Sequence, residues 1–314
     1  MSSALFEIDH DNLTVTKQNV LDREVFTVDN FFKYPNAVSK FVEKLKMPPS
    51  EHAYPGDQFF LDMKDLENHA LEVKQLLIDH GIDSERFVNA PAEMWGSRLV
   101  YQDLINKKIP SAKISGISTA TSLARAGILS NPHTDTDIME DASNQYVGIC
   151  YLSKNSIHGG TGIYRNKKIG MLASDYKYYS EYMSLLAAKL KGKNTIERNQ
   201  IILDNYKALN PNLNGYINEG DEYFERIHFF PMKFNRMIFY EGDMLHSMCV
   251  EDEQFYSENN TRQTLNYAFH VGWEVTPDER STLKQLRDDL LATHKLCIGE
   301  TNSGFDLAHF CHFK

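Results

Sequence analysis

The sequence predicts a mainly β fold with supporting helices, built on an antiparallel barrel of jelly-roll type. Three observations lead to this class. Two helical stretches precede residue 92, about eight short strand-like runs follow it, and one helical insertion at about 171–226 interrupts those runs. Such an order is typical of an α+β jelly roll. We expect the early helices to cover one sheet. The other sheet and the barrel mouth are then the expected place of a functional site.

The N-terminal part of the chain begins with two short strands. Apolar and polar residues alternate at 13–15 and 24–28, which is the period of a half-buried strand. Apolar residues at helical spacing over 35–45 predict an amphipathic helix, with Pro35 in its first turn. Residues 50–63 have loop character, and 65–78 predict a second helix.

The later part of the chain changes to strand periodicity. Gly159–Gly162 predicts a tight turn, and Glu241–Asp243 predicts another. Helices are expected at 174–191 and 197–209 inside the insertion, and at 278–295 after the last strand. The predicted strands are 94–101, 114–125, 146–152, 226–230, 236–240, 244–250 and 262–271.

Length and composition predict a single domain over 1–314. We divide it into an N-terminal part at 1–91, a jelly-roll core at 92–272 and a C-terminal helix and tail at 273–314. The net charge of −10 argues against nucleic acid or an anionic membrane as a partner. No secretory signal or transmembrane run is visible, and the four cysteines form no CxxC motif. Free thiols in a reducing cytoplasm are therefore expected.

The candidate functional site starts from His133 and Asp135. Two residues apart on an extended strand, their side chains point to the same side. His246, early on a late strand, is the expected third ligand of a divalent metal. Two histidines and one carboxylate leave other coordination positions open for a co-substrate. Asp137 has the same parity as Asp135 and remains an alternative carboxylate with a longer reach.

A second group of residues suits an acidic ligand. Arg262 and Thr264 are two positions apart on the last clean strand, so their side chains share a face. An arginine with a hydroxyl beside it can bind a carboxylate through a bidentate ion pair and one further donor. A dicarboxylate held there could chelate the metal through its other end.

This order of residues resembles the 2-oxoglutarate/Fe(II)-dependent dioxygenase superfamily, particularly its prolyl-hydroxylase-like branch. The resemblance covers about 25–45 and 95–272. It is carried by H-x-D, the distal histidine, and arginine with threonine two residues later. The flanking segments that match are Leu123–Gly127 with Pro132–Asp135, Gly159–Tyr164, Arg236–His246 and Val28–Phe32.

The resemblance implies a double-stranded β-helix, cupin-like core that binds Fe(II) through His133, Asp135 and His246. It further implies that Arg262, Thr264 and Tyr151 bind the co-substrate 2-oxoglutarate, and that O2 is consumed. The expected reaction hydroxylates an amino acid, a peptide side chain or a small metabolite and releases succinate and CO2. A catalytically silent cupin-type barrel, or a metal-dependent oxygenase that does not use 2-oxoglutarate, remains an alternative.

Other histidines have structural interpretations. His158 precedes the Gly-Gly motif and suits a loop, while His228 and His270 lie on predicted strands and suit packing roles. The terminal His309, Cys311 and His312 are too adjacent for a tetrahedral zinc site, so we interpret them as terminal packing.

Overall fold

Two antiparallel sheets and two α-helices form most of the structure in the described part of this computed structural model. The described residues are 3–21, 23–45, 57–100, 135–136, 141, 143–154, 159–167, 188–194, 196–197, 201, 218–220, 224–249, 261–282 and 284–285. No helix among them is long and apolar enough to cross a membrane.

The helices lie early in the chain and the strands run through it. The helices are α1 (Pro35–Lys44) and α2 (Glu67–Asp79). Short 3-10 turns occupy Ser3–Phe6, Met63–Asp65 and Ser84–Arg86. The strands are β1 (Thr14–Val20), β2 (Arg23–Asp29), β3 (Asp57–Phe60), β4 (Glu93–Val100), β5 (Asn144–Tyr151), β6 (Gly160–Asn166), β7 (Phe224–Pro231), β8 (Arg236–Glu241), β9 (His246–Cys249) and β10 (Thr261–Val271).

The strand order confirms the predicted double-stranded β-helix. The large sheet has the order β1-β2-β8-β5-β10-β4-β3, and the small sheet has the order β7-β6-β9. From β5 onward the chain moves from the large sheet to β6 and β7, returns to β8, crosses to β9 and returns to β10. All these neighbours pair antiparallel. Strands that cross between two facing sheets in this way are the defining feature of a jelly roll.

The two faces of the large sheet have different partners. On β8, Met237 and Phe239 belong to the core under the helices, whereas Ile238 and Tyr240 belong to the apolar cluster shared with the small sheet. The period-2 alternation of a strand produces this division. Every second residue of the large sheet therefore faces the space between the sheets.

Both helices cover the outer face of the large sheet, as predicted. Pro35 opens α1, and α1 buries Val38 and Val42. Val73 and Leu77 of α2 are buried in the same core. Apolar residues three and four apart form one stripe of a helix, and this stripe packs on the sheet.

Two local predictions were wrong. The predicted loop at 50–63 contains β3, an edge strand of four residues that pairs only with β4 among the described strands. Such a strand is too short for its alternation to be recognised in sequence. Gly160 and Gly162 lie within β6 rather than in a turn. A Cβ at Gly160 would lie 1.9 Å from the Phe230 carbonyl oxygen, so close strand packing explains that glycine.

The predicted boundaries of the insertion also shift slightly. Strand β7 begins at Phe224, two residues before the expected end of the insertion at 226. Within the insertion, the described residues 188–190, 196–197 and 201 are helical. The predicted strand at 114–125 lies outside the described residues, and the division into three parts stays a prediction.

Candidate functional site

His246 is the first residue of β9, and a hydrogen bond fixes the orientation of its ring. Its side chain is buried, and Nδ1 lies 2.9 Å from the Met244 carbonyl oxygen. A carbonyl oxygen only accepts, so Nδ1 carries the proton and donates it. The other nitrogen, Nε2, lies 3.4 Å from Oδ2 of Asp135. The structure thus brings together two residues that the sequence predicted to share a site.

Asp135 is docked on the turn between β8 and β9. Its backbone N–H donates to the Gly242 carbonyl oxygen at 2.6 Å. The next residue, Thr136, is buried, and its hydroxyl donates to Oδ1 of Asn144 at 2.7 Å. The Asp135 carboxylate itself stays partly exposed, with 35% of the side chain accessible. The turn between β8 and β9 therefore anchors the Asp135 backbone by a hydrogen bond and leads directly into His246.

The donor chemistry of this pair fits a bound cation. In the neutral ring, Nε2 of His246 presents a lone pair, and it faces a carboxylate oxygen that also only accepts. A shared proton or a metal ion satisfies both acceptors. Metal-binding histidines usually donate their second N–H to a carbonyl or carboxylate, as His246 does toward Met244.

Two ligands alone do not complete a metal site. Within the described ranges, no group of three or more His, Cys, Asp or Glu side chains is placed to hold a metal ion. The third predicted ligand, His133, and the alternative carboxylate, Asp137, both lie outside the described residues. Their roles stay predictions.

A buried ionic cluster supports the turn. The Glu241 carboxylate, 2% exposed, accepts from Arg23 at 2.8 Å, from Arg86 at 3.1 and 3.2 Å, and from the Asn144 amide at 3.1 Å. Buried charges are costly unless they are paired and hydrogen bonded, and here the partners come from three separate elements. This cluster was not predicted from the sequence. The signal for it was a carboxylate, Glu241, that follows four consecutive apolar or aromatic residues of β8.

Asp243 adds a second carboxylate to the same turn. It is 1% exposed, and its Oδ2 lies 3.3 Å from Nη2 of Arg23. Burial raises the pKa of Asp243 to about 6, although the charge of Arg23 acts in the opposite direction. Two buried carboxylates therefore share the positive charge of one guanidinium.

The three residues predicted to bind the co-substrate lie together on the large sheet. Thr264 pairs directly with Tyr151 across β5 and β10, and Arg262 is two residues before it on the same face. All three side chains are buried. The Arg262 guanidinium lies 5.4 Å from the centre of the Tyr151 ring, within cation–π range. An arginine and hydroxyls therefore meet on the face that points toward the small sheet.

Tyr151 links the two sheets. Its hydroxyl lies 2.8 Å from the hydroxyl of Thr161 on β6. Burial raises the pKa of Tyr151 to about 12, while the charge of Arg262 lowers it. The phenol is therefore neutral over the physiological range and can act as a hydrogen-bond donor.

The other described histidines of the β-sheets have structural contacts. His228 packs edge-on against Phe230 with ring centres 4.5 Å apart, and burial lowers its pKa. Nδ1 of His270 lies 2.9 Å from the Ser143 hydroxyl. These contacts agree with the packing roles that the sequence suggested. His158 and the tail residues 309–312 lie outside the described residues.

The chain is similar to one family model and to solved structures. The model of a family of unknown function, DUF6445, matches residues 117–269. No curated protein sequence matches the chain. Among solved structures, a prolyl-4-hydroxylase from Pseudomonas putida is similar, with a TM-score of 0.37 and 9% sequence identity. The similarity covers 85% of this chain and 98% of that chain. The assignment of the fold therefore rests on the strand order, and that of the site on its own geometry.

Proposed function

We propose that the protein is a non-haem Fe(II), 2-oxoglutarate-dependent oxygenase. The observation that carries the proposal is the convergence of two groups in one jelly roll. Asp135 and His246 face each other at 3.4 Å, and the buried Arg262 stands with Thr264 and Tyr151 on the inner face of the large sheet. A silent barrel has no need of a buried arginine at that position.

The donor set suits iron. His246 and Asp135, with His133 as the proposed third ligand, provide two imidazoles and one carboxylate, a combination used by non-haem Fe(II) oxygenases. The hydrogen bond from Nδ1 to the Met244 carbonyl fixes the ring so that Nε2 points to Asp135. The ionic cluster around Glu241 holds the turn to which the Asp135 backbone is hydrogen-bonded and which leads into His246.

The co-substrate would be held by charge and shape. Arg262 offers two parallel N–H donors to the distal carboxylate of 2-oxoglutarate, and Thr264 offers one hydroxyl. The Tyr151 ring lies under the guanidinium and limits its position. Because all three side chains are buried, water is excluded and the ion pair is strengthened.

The bound metal, 2-oxoglutarate and O2 together supply the oxidising power that hydroxylates a C–H bond and releases succinate and CO2. We propose an amino acid, a peptide side chain or a small metabolite as the substrate, and a cytoplasmic enzyme with no nucleic-acid or membrane partner. Asp135, 35% exposed, lies on the accessible side of the site, where a substrate would approach.

The test is an anaerobic titration of metal-free protein with Fe(II) and then 2-oxoglutarate, followed by visible absorption. We expect a weak charge-transfer band that needs both additions and is lost in His246→Ala. Arg262→Ala should weaken 2-oxoglutarate binding by about 100-fold and leave Fe(II) binding unchanged, because a buried ion pair loses one partner. His133→Ala should abolish both binding events.

The matched control is Arg165→Ala, which removes an exposed arginine paired with Glu225 on the small sheet. It should bind both ligands as the wild type does. Metal binding without the band would favour a silent barrel or an oxygenase with another co-substrate. Equal loss of Fe(II) binding in Arg262→Ala and His246→Ala would refute the role given to Arg262.

A further inference from the structure

The hydroxyl of Tyr240 is buried at the centre of the candidate site. Tyr240 lies on β8, is 0% exposed and faces the space between the sheets. Its hydroxyl has no hydrogen-bond partner among the residues that the structure describes. The hydroxyls of Tyr146 and Tyr151, on the neighbouring strand, both have partners. A buried hydroxyl without a partner costs stability, so a functional reason is expected.

Its surroundings connect the two halves of the site. The Tyr240 ring lies 4.8 Å from the His246 ring, tilted by 53°. Tyr240 shares the apolar cluster between the sheets with Tyr151, and the Arg262 guanidinium lies 5.4 Å from the centre of the Tyr151 ring. The Tyr240 phenol therefore packs with residues of both halves of the site, and its hydroxyl can donate a hydrogen bond.

We propose that the Tyr240 hydroxyl donates a hydrogen bond to the oxo acid that binds between the Asp135–His246 pair and Arg262. This inference rests on the proposed function and adds a ligand-binding residue to it. The sequence pattern predicts a strand at Tyr240 and indicates no role for its hydroxyl. The ligand supplies the acceptor that the described residues do not, since a carboxylate or keto oxygen only accepts.

The loss of the Tyr240 hydroxyl should affect ligand affinity and the stability of the ligand-free protein differently. Tyr240→Phe removes one oxygen and keeps the ring that packs on His246 and Phe230. If the hydroxyl awaits a ligand, the variant binds the ligand less tightly, yet the ligand-free protein is as stable as the wild type or more so. If the hydroxyl instead had a structural role, the ligand-free variant would be less stable than the wild type.

The experiment uses full-length protein loaded with Mn(II) in place of iron, so that no turnover occurs. Calorimetry measures 2-oxoglutarate binding to the wild type and to two variants. Tyr240→Phe should bind about 10-fold more weakly, the cost of one hydrogen bond to a charged group, with unchanged Mn(II) affinity. Its melting temperature without ligand should equal or exceed that of the wild type.

The matched control is Tyr146→Phe on the opposite face of the same sheet. The Tyr146 hydroxyl donates to the Glu24 carbonyl oxygen at 2.7 Å, so this variant should melt lower and bind 2-oxoglutarate normally. Equal affinity in Tyr240→Phe and wild type would overturn the inference, as would a lower melting temperature of ligand-free Tyr240→Phe. If the wild type itself fails to bind 2-oxoglutarate, the proposed function fails, and this outcome is distinct from the other two.

Discussion

Replacing His69 by Gln should remove a large part of the protein's sensitivity to mild acid. His69 lies on α2, is 3% exposed and is surrounded by Phe6, Phe31 and Phe32. Its Nε2 lies 2.9 Å from the Tyr267 hydroxyl. Burial lowers the pKa of His69 from 6.5 to about 4. The fold therefore holds the ring neutral at a pH where the unfolded chain is protonated.

The sign and size follow from proton linkage. Between pH 6.5 and pH 4 the unfolded chain binds the proton and the folded chain does not, so stability falls as the pH falls. At 1.36 kcal/mol per pKa unit, His69 costs the fold about 2 kcal/mol at pH 5 and about 3 kcal/mol below pH 4. Gln keeps a polar group near Tyr267 and does not titrate.

Urea unfolding at pH 5 and pH 7.5 measures this effect. The loss of unfolding free energy between the two pH values should be about 2 kcal/mol smaller in His69→Gln than in the wild type. The control is His80→Gln, the same substitution on an exposed residue at the end of α2, and it should keep the wild-type loss. Identical pH dependence in His69→Gln and the wild type would refute the reasoning.

Two further predictions concern the strands and the turn that frame the site. Gly160→Ala should destabilise the protein by several kcal/mol, on the order of the largest single-residue effects, because the new Cβ would meet the Phe230 carbonyl oxygen at 1.9 Å. Thermal unfolding of this variant is compared with that of Gly272→Ala, whose Cβ would meet only the Arg86 carbonyl oxygen at 3.7 Å, an ordinary contact distance, and equal melting temperatures would contradict the prediction. Asp243→Asn should gain stability relative to the wild type as the pH rises from 3.8 to about 6, because the buried Asp243 of the wild type keeps its proton longer than the unfolded chain does and its ionisation then costs the folded state stability. Unfolding free energies of both proteins at pH 4, 5 and 7 check this, and parallel curves would count against it.

The parts of the site that could be predicted are those set by local periodicity. The position of His246 could be predicted because a strand and a turn directly precede it and a further strand begins there. Arg262 and Thr264 share a face because strand side chains alternate with period two. Both predictions depend only on residues that are close together in sequence, and the structure agrees with both.

The parts that could not be predicted depend on distant pairing. Arg23 and Glu241 are 218 residues apart in sequence, and nothing local to either residue names its partner. Gly160 resembled a turn residue because close approach of a second strand and a tight turn both favour glycine. That the Tyr240 hydroxyl has no hydrogen-bond partner in the described part of the chain is likewise visible only after the sheets are assembled.

The ionic cluster under Glu241 also sets the extent of the smallest fragment that can hold the site. Two of its cations, Arg23 and Arg86, precede the segment 117–269 that the family model matches. A protein cut to that segment would keep Glu241 and Asp243 and lose the guanidinium groups that neutralise them. The two carboxylates would then repel each other in the turn that binds the Asp135 backbone and leads into His246. The hairpin of β1 and β2 carries Arg23 and is far from the candidate ligands in sequence, yet it helps to hold them in position.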